Sequence, residues 1–95
     1  ADNRISLFSA QWGKCAVTGT PFMYLEEIHC HHKKPKALGG NDKYENLILV
    51  KDTVHKLIHA TDPETIGKYL SVLNLTKTAK QKLNKLREQA GCNAI

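Results

Sequence analysis

His31 and His32 stand side by side, and His55 and His59 follow four residues apart in the same region. All 5 histidines of the chain fall between His29 and His59. A neutral imidazole is a good metal ligand, and its pKa near 6.5 also makes it a ready proton acceptor at working pH. Side chains four apart on a helix stack on one face, so His55 and His59 can converge on one ion. Neighbours in a strand point to opposite sides. One of His31 and His32 can therefore ligate while the other faces a different part of the same cleft. Three imidazoles (His31, His55 and His59) leave positions open for water and substrate, which is how catalytic metal sites are built. That leaves His32 for general base. An HxxxH pair alone is common on helix surfaces. The joint pattern, with Gly39-Gly40 and Asn46 between the two histidine pairs, is much more specific.

These side chains need elements to carry them. Ile5, Phe8 and Trp12 recur at spacings of three and four, which predicts a helix over Asn3 to Trp12 with an apolar stripe; Leu7, Phe8 and Trp12 are expected in the core. Gly13 stops it. Lys14 to Pro21 reads as a short strand and turn. A strand is expected from about Glu27 to His32, then a loop from Lys33 to Glu45 holding the turn-rich Gly39-Gly40-Asn41-Asp42. Asn46 to Val50 is a second strand. Asp52 or Thr53 caps a helix through Val54, Leu57, Ile58 and Ala60. Asp62-Pro63 opens another, to about Leu73, with Ile66, Leu70 and Leu73 on one face. Thr76 opens the last, with Ala79, Leu83, Leu86 and Ala90 in register and Gly91 at its end. The fold class is α+β. A ββα unit at about 27–60 places one metal between hairpin and helix, an N-terminal helix precedes it, and helices at about 63–73 and 77–90 follow. Residues 1–95 read as a single domain.

The 95 residues carry 14 basic and 9 acidic side chains, a net charge of +5, which favours a polyanionic partner, most often nucleic acid. The 41% hydrophobic fraction is that of a folded domain. No apolar run is long enough to span a membrane, and the N-terminus lacks the apolar core of a signal peptide. An initial alanine is expected of a piece of a longer chain. The 3 cysteines (Cys15, Cys30 and Cys92) include no CxxC, which argues against a disulfide scaffold and for a reducing cytosol.

The segment from Ile28 to Val50, closing on His55-Lys-Leu-Ile-His59-Ala60, resembles the HNH endonuclease motif. It is most similar to the HNH domain at the C-terminus of group II intron-encoded reverse transcriptase/maturases, and Lys14-Cys-Ala-Val-Thr-Gly19 and the helix from Pro63 to Leu73 resemble the same family. The resemblance covers about Asn3 to Gly91. It implies that His31 is the first metal ligand and His32 the base that activates water. Asn46 matches the central asparagine, which braces the loop and the base or touches the metal. His55 is the second ligand. His59 completes the metal shell or contacts the scissile phosphate. The expected catalytic set is thus His32, Asn46 and His59, and the metal set His31, His55 and His59. Many relatives hold a structural zinc in two CxxC knuckles. Here Cys15 is followed by Thr18, Lys51 and Val54 at the other three positions, so no structural zinc is expected.

The implied chemistry is hydrolysis of a DNA phosphodiester to 3′-hydroxyl and 5′-phosphate ends, with the new 3′ end priming reverse transcription. The expected cofactor is one divalent ion. All-imidazole ligation favours Zn²⁺ or Ni²⁺ in a crystal, and the family implies Mg²⁺ or Mn²⁺ in turnover. Lys33, Lys34 and Lys56 are expected to hold backbone phosphates. Lys77, Lys80, Lys82, Lys85 and Arg87 on the last helix read mainly as a solubilising face. His29 shares a strand side with His31, where it could add a ligand or a phosphate contact, and it reads first as a packed or solvated imidazole. The expected partners are double-stranded DNA and, through the parent protein, intron RNA, in the bacterial cytoplasm and without a membrane. Two alternatives are a non-catalytic DNA-binding module with a structural metal site and a nuclease of the bacterial toxin type.

Overall fold

A computed structural model describes residues 3–95; Ala1 and Asp2, and with them the expected domain start, lie outside the described residues. Helix α1 spans Asn3–Ala10, strand β1 Ile28–His32, strand β2 Leu47–Lys51, helix α2 Asp52–His59, helix α3 Pro63–Leu73 and helix α4 Lys77–Gln89. Single 3-10 turns occupy Leu25–Glu27, Lys36–Leu38 and Tyr44–Asn46. The two strands are antiparallel, and α2 follows the second at once. This is the α+β, ββα arrangement expected from the residues. Strand β2 begins at Leu47, because Asn46 is drawn into the 3-10 turn before it.

The register pairs His31 with Ile48, His29 with Val50, Cys30 with Leu49 and His32 with Leu47. Strand alternation then sorts the hairpin into two faces. Ile48 and Val50 face α2 and α4 and pack with Val54, Leu57, Ile58, Leu83 and Leu86 in the main core. Leu47 and Leu49 face the other way and pack with Leu7, Ile28 and Cys30. His29 and His31 thus share the face of the main core, and His32 the face of α1.

The helix starts follow their capping chemistry. Asp62 caps α3, its carboxylate accepting the Thr65 amide at 2.9 Å, with Pro63 in the first turn. The Thr76 hydroxyl caps α4 by accepting the Ala79 amide at 3.1 Å. At α2 the cap position falls on Lys51, and Asp52 is already helical, a residue earlier than expected for a cap.

Two expectations about the N-terminal part are corrected. Trp12 is 85% exposed and Phe8 43%, so the stripe does not enter the core; Leu7 alone of the three is buried. The reason is polar. The Gln11 side chain pairs with the backbone of Leu49 in both directions, at 2.9 Å each way, and so turns the Leu7–Gln11 side of the segment toward β2. The chain then leaves the helix through left-handed positions at Trp12 and Gly13. Glycine suits the left-handed angle at Gly13, and a Cβ there, 2.9 Å from the tip of the half-exposed Phe8 ring, would have to push that ring aside. The strand expected over Lys14 to Pro21 reduces to one bridge between its ends, closed as a tight turn by the Gly19 amide on the Cys15 carbonyl at 2.9 Å. The turn buries Cys15 and Val17 in the main core.

Candidate metal centre

His31 reaches the centre from β1, and His55 and His59 reach it from successive turns of α2. The ring centroids are 5.2 Å apart for His31–His55, 5.2 Å for His31–His59 and 4.9 Å for His55–His59. One nitrogen from each ring lies within 4.8 Å of the others, a spacing one ion can bridge. Among the described residues this is the one cluster of three or more ligating side chains.

His31 is 1% exposed, and its Nε2 is buried with no hydrogen-bond partner. A buried, unpaired ring nitrogen costs roughly 1–3 kcal/mol unless something takes its lone pair or proton. Burial pushes the His31 pKa down to about 3, with repulsion from protonated His55 and His59 adding to it and His32 contributing least. Burial also lowers His55, followed by His59 and His29. His59 is lowered by burial and then by the positive Arg87. The three rings are therefore held neutral, the form that ligates. An orphaned nitrogen and an all-imidazole donor set fit a divalent ion of borderline softness such as Zn²⁺ or Ni²⁺.

His32, expected as the base, sits on the opposite face of β1, its side chain 32% exposed. Its Nε2 lies 2.8 Å from the Asp42 carboxylate, whose other oxygen meets Lys36 Nζ at 2.7 Å. Asn46 spends its side chain on the loop. Its Oδ1 accepts from the Lys34 amide at 2.9 Å, and its Nδ2 donates to the carbonyls of Lys34 at 3.1 Å and Asn41 at 2.8 Å. These bonds tie the two ends of the loop between the strands to each other. His29 packs against His55 with centroids 5.3 Å apart, beside the three-ring cluster.

Lys33 and Lys34 line one groove with Glu45 and Asn46, and Lys56 is not among its lining residues. Lys33 Nζ donates to the Glu45 carbonyl at 3.2 Å, Lys34 lies along the glycine turn, and Lys56 lies over the Tyr69 ring at 5.8 Å. Lys33 also lines a groove of about 290 Å³ with Lys82 and Lys85 of α4, beside Val17, Ile48 and Leu86. Cys15, at the first zinc-knuckle position, accepts the Lys51 amide at its Sγ (3.4 Å) and packs in the same core as Val54. The three cysteines are thiols.

Arg87 is also corrected. It belongs to no solvated face, being 2% exposed. Its Nη1 donates to the carbonyls of Leu57 at 2.6 Å and Ala60 at 2.8 Å, and its Nε to Asn93 at 2.7 Å. A buried cation thus caps the end of α2 that carries His59. Sequence reading missed Arg87 and Gln11 as positioning groups, and it missed the pairing of Asp42 with His32. Their partners are backbone carbonyls or distant loop residues, and such pairings leave no periodic signal in the chain.

Residues 14–61 match the family model of the HNH endonucleases. The chain belongs to the HNH endonuclease family. The matched span holds β1, β2, α2 and every histidine. No curated protein matches the chain. No solved structure matches it either. HNH domains bind a divalent metal ion, and the cluster of His31, His55 and His59 could hold one. Family membership supports nuclease activity generally. No helix among the described residues is long and apolar enough to cross a membrane.

Proposed function

We propose that this HNH domain is a metal-dependent DNA endonuclease, the target-site-nicking domain of a group II intron-encoded reverse transcriptase/maturase. The single observation that carries the nuclease reading is the neutral three-imidazole cluster on one face of the hairpin, with the adjacent His32 left outside it. A purely structural site has no use for that fourth ring. The intron assignment is supported by the resemblance of the motif from Ile28 to Ala60, of Lys14 to Gly19 and of the helix from Pro63. It carries the expectation of intron RNA as a partner through the parent protein.

In this reading His31, His55 and His59 hold the ion, which supplies charge neutralisation on the phosphate and the departing oxygen. His32 removes a proton from water. The freed electron pair attacks phosphorus, the bond to the 3′ oxygen breaks, and that oxygen takes a proton from solvent. The products end in 3′-hydroxyl and 5′-phosphate. Asn46 keeps the loop between the strands in place so that His32 meets the phosphate at a fixed angle. Lys33 and Lys34 bind flanking phosphates, and the net charge of +5 draws the polyanion in.

Nicking of supercoiled plasmid, with Mg²⁺, Mn²⁺, Zn²⁺ or EDTA, tests the reading. The wild type should nick with a divalent ion and stop with EDTA, and His32→Ala should bind DNA but lose cleavage by about 100-fold or more. Cleavage absent from the wild type with every metal would reject the nuclease in favour of a DNA-binding module, and cleavage unchanged in His32→Ala would remove His32 as its base.

A further inference from the structure

Asp42 belongs to the loop between the strands and lies outside the three-imidazole cluster. Its carboxylate faces His32 Nε2 at 2.8 Å, and Lys36 Nζ engages the other oxygen at 2.7 Å. The loop is shaped to deliver it. A Cβ at Gly40 would lie 1.8 Å from the Lys34 carbonyl oxygen, so only glycine lets the turn close this tightly. Asn46 Nδ2 then ties down the Asn41 carbonyl at 2.8 Å, one residue before Asp42. On the far side Asn3 Nδ2 donates to the Asp42 carbonyl at 3.2 Å.

We propose that Asp42 is the positioning residue for His32: its carboxylate accepts the Nε2 proton and leaves the Nδ1 lone pair as the group that takes the proton from water. This rests on the assignment of His32 as the base. A carboxylate is an acceptor only, and a neutral imidazole has one N–H. The short contact therefore requires the proton on Nε2. In the reaction Nδ1 bonds to a proton of water, that O–H bond breaks, and its electron pair goes to phosphorus as the bond to the 3′ oxygen opens. Asp42 neither gains nor loses a proton. It holds the tautomer and the ring angle, the part a carboxylate plays behind histidine in hydrolytic triads, here from an exposed loop side chain.

Asparagine is the diagnostic replacement. Lys36 would hold the amide oxygen, turning Nδ2–H toward His32. The amide would then donate to Nε2 and force the proton to Nδ1, the wrong tautomer. A carboxylate that merely brace the loop would be replaced by asparagine with little loss. Asp42→Asn and Asp42→Ala are compared with wild type and His32→Ala in plasmid nicking at saturating metal, with DNA affinity measured in parallel. His32 tautomers are read from long-range ¹⁵N–¹H NMR of the metal-loaded chain.

Both Asp42 variants should nick about 100-fold more slowly. DNA affinity should hold or rise, since each variant removes a negative charge from a cationic chain. The NMR should show Nε2–H in wild type and a shift toward Nδ1–H in Asp42→Asn. Wild type found in the Nδ1–H form overturns the proposal, as does Asp42→Asn nicking within about twofold of wild type. If His32→Ala nicks like wild type, the base assignment itself fails. If His32→Ala is inactive and both Asp42 variants are active, only the role of Asp42 fails. Thermal melts of all variants check the fold, and should Asp42→Ala melt early, the near-isosteric Asp42→Asn decides by rate and tautomer.

Discussion

Arg87 donates from Nη1 to the Leu57 carbonyl oxygen at 2.6 Å, across 30 positions of sequence. This ties α4 to the last turn of α2, the turn that presents His59. Four terminal carbonyls of a helix lack partners within it, and here a buried guanidinium serves three of the acceptors at that end, those of Leu57, Ile58 and Ala60. Replacing Arg87 with methionine keeps most of the volume and strands the Leu57, Ala60 and Asn93 carbonyls. The expected cost is about 2–4 kcal/mol, or a fall in melting temperature of about 10–25 °C. Zinc affinity should weaken as well, because the His59 turn loosens. A melting temperature within a degree or two of wild type would show that water satisfies those carbonyls.

The His31 pKa predicts a direction for acid sensitivity in the metal-free protein. The ring is held neutral in the fold, its pKa pushed down from 6.5 to about 3, chiefly by burial. The unfolded chain takes up this proton first as pH falls. Stability is therefore full above about pH 6.5 and drains away between there and about pH 3, by an amount on the order of a few kcal/mol. His55 and His59 shift in the same direction and add to the loss. Urea melts in EDTA at pH 7.5, 5.5 and 4.5 measure it, and His31→Leu should flatten the profile. A flat profile in the wild type would contradict the burial argument.

Metal removal should be visible in stability without any assay of cleavage. An ion that binds only the folded state at about 100 times its Kd adds about 2.7 kcal/mol, roughly 10–20 °C of melting temperature for a domain of this size. Zn²⁺ or Ni²⁺ should produce that shift, and EDTA should reverse it. His31→Ala and His55→Ala should abolish it, whereas Asp42→Asn should keep it. Retention of the full shift in His31→Ala would place the ion elsewhere.

Lys82 and Lys85 share a groove with Lys33, and Lys33 directly follows His32. If phosphates track this groove, Lys82→Glu and Lys85→Glu each weaken DNA binding, by an amount similar for any sequence. Each should also flatten the salt dependence by about one unit of log–log slope. Fluorescence anisotropy across a range of salt concentrations decides it. An unchanged slope would return α4 to a solubilising role.

Much of this was legible in the chain because it is local. The i, i+4 spacing of His55 and His59 determines a shared helix face, and the alternation of His31 and His32 determines opposite strand sides, whatever surrounds them. Asp62-Pro63 and Thr76 mark helix starts because capping needs only the next three residues. Family resemblance supplied the link between these pieces. Long-range pairing was a different matter. Trp12 and Phe8 look like core residues by spacing, yet the two-way bond between Gln11 and the Leu49 backbone turns α1 onto Leu7 instead. Arg87 looks like one more surface cation until α2 ends against it, and Asp42 looks like a turn residue until Gly40 lets the loop fold back on His32. In each case the deciding partner is a polar group brought in by folding. Hydrogen bonds of this kind depend on position in space and leave no periodicity to read, so only the tertiary structure decides them.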